Sequence, residues 1–233
     1  MSEQFDRYAR DYDVALDEGL SASGESKDYF AAGRVRWLAR CLNELAADSA
    51  PRPLRAVLDY GCGTGSTIPL LAALAPEASL VGVDVSQESL RVAESSVGSE
   101  RVTFSTVSNR PAQADFDLAY CNGIFHHIPL AERAAAAKYA YESLKPGGLF
   151  SFWENNPWNP GTRWVMSRIP FDRDAIPLSA LEAQRLLRQA GFELLRTDFQ
   201  FIFPRALKSL RFLERSLASL PLGAQYQVLC RRN

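Results

Sequence analysis

Val57-Leu58-Asp59-Tyr60-Gly61-Cys62-Gly63-Thr64-Gly65 is the stretch on which the reading of this chain turns. A short apolar run ends in an acid and then in glycines at 61, 63 and 65. Glycine lets the backbone turn sharply and approach a bound group closely, so the pattern predicts a strand followed by a ligand-cradling turn. Asp84 lies 19 residues past Gly65, at the end of the next apolar run, 79–84 (SLVGVD). A carboxylate closing a second strand at that distance is placed to meet a ribose hydroxyl pair.

Outward from this stretch the chain alternates. Strand-like runs stand at 55–60, 79–84, 102–105, 116–121 and 148–153, with helix-compatible stretches at 66–75, 86–96 and 130–144 between them. That alternation predicts an α/β fold: a doubly wound, mostly parallel sheet with helices on both faces. Upstream, Val35, Leu38, Leu42 and Leu45 recur at helical spacing and predict a helix over 33–47, ending before Pro51 and Pro53. Downstream, a helix over 179–190 opens on Ser179 as its cap and stops at Gly191. Strands at 192–201 and 224–231 enclose a helix expected over 205–220. The organisation is one domain over 34–233 behind an aromatic N-terminal segment, 1–33, that carries Phe5, Tyr8, Tyr12, Tyr29 and Phe30.

Composition narrows the function classes. With 233 residues, 47% of them hydrophobic, the chain can fill a sizeable core. Its 26 basic and 27 acidic side chains sum to −1, which leaves no electrostatic footprint for nucleic acid. Cys41, Cys62, Cys121 and Cys230 form no CxxC pair, so neither a disulfide framework nor a metal is expected. The polar start, MSEQFDRYARDYD, has no apolar signal core, and no run of about 18 apolar residues occurs. The expectation is a cytoplasmic protein with a small-molecule ligand.

Two cofactor classes share the strand–glycine–acid layout. The dinucleotide fingerprint needs a glycine at position 66, which is Ser66 here. Asp59, two residues before the first glycine, would oppose a pyrophosphate but suits a ligand bearing an ammonium and a sulfonium. VLDYGCGTG, Asp84, FDLAYCNGIFHHI and LKPGGLF, in this order, resemble the class I S-adenosylmethionine (SAM) methyltransferases, particularly the small-molecule branch with the ubiquinone and menaquinone enzymes. The resemblance covers about residues 30–155. It implies a seven-stranded Rossmann-like sheet with an antiparallel last strand, which suits 224–231. It also implies that Asp59, Gly61, Cys62, Gly63 and Gly65 hold the methionine portion of SAM, and Asp84 with Val85 the ribose. The family's acid after the third strand is missing, which leaves Ser108 or Asn109 for the adenine; Asn122 and Tyr12 complete the expected cofactor set.

The acceptor side follows from the rule that ligands sit outside the carboxyl ends of the strands. After the fourth strand come His126 and His127, the only histidines in the chain. His126 is a candidate general base or a capping residue; His127 is a candidate acceptor contact or a packing residue. After the fifth strand, 153–164 holds Glu154, Trp153, Trp158, Arg163 and Trp164. Glu154 could orient or deprotonate an acceptor, and Trp158 and Arg163, with Tyr29 from the N-terminal segment, could line its pocket. The segment 1–33 reads as a lid over the cofactor or as a packed helix. The stripe Leu207, Leu210, Leu213, Leu217 and Leu220 over 205–220 reads as buried against the domain, with contact to an anionic membrane as the rarer case. Two other functions share the pattern: a catalytically silent SAM-binding module and an NAD-dependent oxidoreductase.

Overall fold

The computed structural model describes residues 19–20, 23–47, 53–110, 112–172 and 175–233. Its centre is a seven-stranded sheet in the order β3-β2-β1-β4-β5-β7-β6. The strands are β1 (Ala56–Tyr60), β2 (Ser79–Asp84), β3 (Val102–Thr106), β4 (Phe116–Asn122), β5 (Leu144–Asn155), β6 (Phe192–Gln200) and β7 (Gln225–Arg232). The first five run parallel, and β7 is antiparallel to both β5 and β6. The antiparallel last strand expected from the sequence is therefore present, inserted between β5 and β6.

Strand alternation divides the core. Val57 joins one apolar layer with Trp37, Leu38, Ile68 and Leu71, while Leu58 and Tyr60 join the opposite layer with Ala136, Ala140, Ala183 and Leu187. The first layer is closed by α1 (Lys27–Ala47) and α2 (Ile68–Leu74), the second by α4 (Arg133–Ser143) and α6 (Ala180–Gln189). Between them in sequence come α3 (Gln87–Val97) and α5 (Pro160–Met166). Ser179 and Glu182 form the full reciprocal cap of α6, as the Ser179 signal predicts. From β1 the chain crosses to β2 and β3 on one side and returns to β4 on the other. That reversal opens a crevice at the carboxyl ends of β1 and β4, where a doubly wound sheet binds ligands.

Two stretches depart from the sequence reading. Helix α1 starts at Lys27 rather than at 33, because Gly33 is an interior position and not a boundary. A Cβ at Gly33 would lie 2.5 Å from the ring of Phe201, so the helix gives up propensity here to let that ring in. The segment 205–220 is a 3-10 helix, Arg205–Leu213, kinked at Leu207, followed by the short α7 (Glu214–Leu217). Leu207, Leu210 and Leu213 recur every three residues, the period of a 3-10 helix, and side chains three apart eclipse there. The buried stripe expected there is not found: Leu207, Leu210, Leu213 and Leu220 are all exposed. No described helix is long and apolar enough to cross a membrane.

Candidate active site

The crevice holds two cavities. The first, of about 480 Å³, is lined by Asp59, Gly61, Cys62, Gly63, Asp84, Val85 and Asn122 among others. Asp84 builds its floor: Oδ2 accepts from the Gly63 N–H and Oδ1 from the Ser86 N–H, both at 2.9 Å. Ser86 in turn caps α3 through its hydroxyl. The glycine turn, the second strand and the following helix are thus tied to one carboxylate. Gly61, Gly63 and Gly65 all have positive φ, at 76°, 53° and 78°. At Gly63 nothing lies within 4 Å of where a Cβ would sit, so that face of the turn is open for a ligand. Gly65 does not line the cavity; a Cβ there would press on Ala93 and Val97 of α3, which makes it a packing position.

Asp59 carries the electrostatics. It is almost fully buried, and its Oδ2 has no hydrogen-bond partner. Burial pushes its pKa up to about 7, the Asp84 carboxylate adds to the rise, and Arg34 opposes it. Among the described residues three buried side-chain polar atoms lack a partner, and two of them, Asp59 Oδ2 and Asn122 Oδ1, belong to residues lining this cavity. Two orphaned acceptors beside an open glycine turn fit a ligand that brings N–H donors and positive charge. A pyrophosphate supplies neither.

The second cavity, of about 360 Å³, shares Asn122, Gly123 and His127 with the first. Its walls are mostly apolar: Phe30 and Tyr29 from the first turn of α1, Trp164 and Met166 from α5, then Ile169, Phe171, Phe201 and Phe203. Phe201, the only non-glycine residue with positive φ among those described, at 63°, packs edge-on against Tyr29 and Phe30. Arg34 and Arg211 reach this cavity too, the first bound to Tyr120 and Gln225, the second to Glu25.

At the junction of the cavities stands a buried polar cluster. His126 Nδ1 donates to Glu154 Oε2 at 2.6 Å, and Glu154 Oε1 accepts from the Phe125 N–H at 2.7 Å. On the other side, Asp172 Oδ1 lies 3.5 Å from His126 Nε2 and 3.2 Å from His127 Nε2. Burial alone would lower the His126 pKa, but the Glu154 and Asp172 carboxylates outweigh it and carry it up to about 10. His127 moves the other way: burial lowers it, the neighbouring His126 adds to the fall, and Asp172 opposes. The two imidazoles beside it hold Asp172 below the usual carboxylate range against its own burial. Arg133 clamps the two loops that carry the cluster, donating to the carbonyls of Ile128 and Ile176.

The structure brings Asp59, Gly61, Cys62, Gly63, Asp84, Val85 and Asn122 to one cavity, and His126, His127 and Tyr29 to the other. Several sequence candidates fall elsewhere. Ser108 and Asn109 line neither cavity: they sit in a 3-10 turn capped by Thr106, and Val107 occupies the wall instead. Glu154 also reaches neither cavity, since both oxygens are turned onto His126 and the Phe125 N–H. His126 is flanked by two carboxylates, Glu154 and Asp172. Trp158 is half exposed and Arg163 lines neither cavity. Their loop does reach the second cavity through Asn155, Asn159, Gly161, Thr162 and Trp164. It is anchored there: Asn156 binds the carbonyls of Pro221 and Gly223, and Asn159 caps α5. Tyr12 lies outside the described residues. Sequence reasoning missed Asp172, Phe201 and Phe171; the acid directly after Phe171 is the one local hint for the first.

A doubly wound seven-stranded sheet, a glycine turn with acids closing the first two strands, and a second cavity meeting the first define the class I, Rossmann-like SAM-dependent methyltransferases. Residues 57–148 match the family described as "Methyltransferase domain", which supports that class. It is 26% identical over 133 residues to trans-aconitate 2-methyltransferase of Rhodopseudomonas palustris, covering 57% of this chain and 51% of that protein. It is 32% identical over 122 residues to malonyl-[acyl-carrier protein] O-methyltransferase of Halalkalibacterium halodurans, covering 49% and 44%. The chain thus spans about half the length of these curated relatives. A crystal structure of a SAM-dependent methyltransferase from Thermotoga maritima, called a possible histamine N-methyltransferase, shares the fold over all of both chains with a TM-score of 0.62 at 19% identity. SAM is the cofactor this family and fold imply, and the orphaned Asp59 and Asn122 oxygens fit its ammonium.

Proposed function

We propose that this protein moves a methyl group from SAM to an oxygen, nitrogen or carbon nucleophile of a small, partly apolar metabolite. The observation that carries the reading is the meeting of the two cavities at Asn122, Gly123 and His127. When bound, SAM supplies a methyl on a sulfonium that a nucleophile displaces in line, leaving S-adenosylhomocysteine. The protein's own part is proximity and orientation, which is the larger share of what such a displacement needs.

Asp59 and Asn122 receive the ammonium, Gly61, Cys62 and Gly63 cradle the methionine portion, and Asp84 with Val85 meets the ribose. The backbone N–H groups of Gly63 and Ser86 fix the Asp84 carboxylate at the cavity wall. Phe30, Phe171, Phe201 and Phe203 take the apolar body of the acceptor, with Tyr29 at their edge. His127 is the imidazole at the junction, while His126 and Glu154 are positioning residues behind it. Tyr29 and Phe30, from the first turn of α1, stand in the acceptor wall, which supports a lid role for the N-terminal segment 1–33.

An oxygen acceptor is favoured by the Halalkalibacterium halodurans relative, which is called an O-methyltransferase. The reading is of a cytoplasmic enzyme without nucleic-acid partners, in keeping with four free, buried cysteines and a net charge of −1. The test is transfer of labelled methyl from SAM to a panel of carboxylic acids, phenols and amines with apolar bodies. Label in a product that Gly63→Ala fails to make supports the reading. A folded, S-adenosylhomocysteine-binding protein that labels no acceptor points to the silent module instead.

A further inference from the structure

The polar cluster at the junction has the make-up of a metal site. One ligand atom each from His126, His127 and Asp172 lies within 4.8 Å of the others. A tetrahedral ion with bonds of 2.0–2.1 Å separates its ligands by about 3.3–3.4 Å. The Asp172 Oδ1 separations of 3.2 Å from His127 Nε2 and 3.5 Å from His126 Nε2 straddle that edge. The second of them is long for a hydrogen bond, especially beside the 2.6 Å contact on the same ring.

The surroundings match as well. Metal-bound imidazoles nearly always give their other nitrogen to a carboxylate or carbonyl, which fixes the tautomer. Glu154 does this for His126 at Nδ1, leaving Nε2 turned toward Asp172 and His127. The ligand loops are fixed by backbone bonds: His127 N–H to Ile124, Ile176 N–H to His126, and Asp172 N–H to Ile169. All three ligand residues line the acceptor cavity, and His127 lines the cofactor cavity also.

We propose that His126 Nε2, His127 Nε2 and Asp172 Oδ1 bind a divalent transition ion of the Zn²⁺ class, with a free coordination position facing the acceptor cavity. Imidazole–carboxylate sets of this kind suit Zn²⁺ and its first-row neighbours. The free position takes an oxygen of the acceptor, so the proposal rests on the methyltransferase reading for its purpose. A hydroxyl bound there loses its proton to water, and its oxygen lone pair then forms the bond to the methyl carbon as the sulfur–methyl bond breaks. A carboxylate binds without losing a proton.

The test uses the full chain, stripped with chelator and then titrated with ZnCl₂ by calorimetry, with S-adenosylhomocysteine titrated separately. The expected result is one equivalent of Zn²⁺ per chain. Asp172→Asn is expected to weaken it by ~100-fold and Glu154→Gln by ~10–100-fold. Co²⁺ added to the unaltered protein is expected to give visible d–d bands of a low-symmetry imidazole site, a readout that needs no variant to fold. Absence of those bands, or Zn²⁺ affinity unchanged in Asp172→Asn, overturns the site. Zn²⁺ failure with intact S-adenosylhomocysteine binding rejects the metal and leaves the methyltransferase reading standing; the reverse result rejects that reading and keeps the metal.

Discussion

Replacing Asp59 with Asn should move stability and cofactor affinity in opposite directions. In the free protein this carboxyl is buried, has one orphaned oxygen, and titrates near 7 instead of 3.8. The groups that face it are Asp84, which raises it further, and Arg34, which offsets part of the rise. A raised carboxyl pKa means the folded state holds its proton more tightly than the unfolded state. Stability therefore falls as pH rises from about 4 to about 7, and the cost is fully present above that window. Three pKa units at 1.36 kcal/mol each make the cost about 4 kcal/mol at pH 8. Asparagine fills the same volume without the charge, so the cofactor-free variant should melt about 10 °C higher than the parent at pH 8. The gap should close toward pH 4. Calorimetric titration of the same variant with S-adenosylhomocysteine should show a loss of ~100-fold or more, because the ammonium loses its buried counter-charge. A variant that melts lower at pH 8, or that binds within threefold of the parent, refutes the role given to Asp59.

Three further outcomes follow from the same geometry. S-adenosylhomocysteine affinity of the parent should fall about tenfold per pH unit below pH 7, since binding requires Asp59 to give up its proton; a flat titration between pH 5 and 7 contradicts this. Gly63→Ala should leave the fold intact at a strain cost of ~1 kcal/mol, because open space awaits the methyl, yet weaken S-adenosylhomocysteine at least tenfold. Thermal melting and titration read the two effects separately, and equal affinity would mean the turn does not cradle the ligand. Glu154→Gln should lower stability by ~2–4 kcal/mol, since it removes the charge that holds His126; a melting temperature within 2 °C of the parent contradicts that.

The sheet and the cofactor wall were legible in the sequence because each rests on a local pattern. Strand runs alternate with helices at regular spacing, and Asp59, the glycines and Asp84 stand at the strand ends where the pattern puts them. Gly33 misled because a helix interior seldom accepts glycine; the ring of Phe201, remote in sequence, is what demands it. The 205–220 leucines were read at a period of 3.6 although their first three members repeat every three residues. Glu154 and His126 were found by position after the strands, but their roles depend on burial and on Asp172, a residue far along the chain with no local motif. Ser108 and Asn109 were chosen by analogy of place, and a hydroxyl cap from Thr106 draws them into a turn. Positions set by one element are readable; partnerships set by topology are not.

Calorimetric titration of the purified chain with S-adenosylhomocysteine at pH 8, with NAD as the control, tests the central claim most directly. The account predicts one micromolar site for S-adenosylhomocysteine and no heat from NAD. A folded protein that binds NAD, or that binds neither, would contradict it.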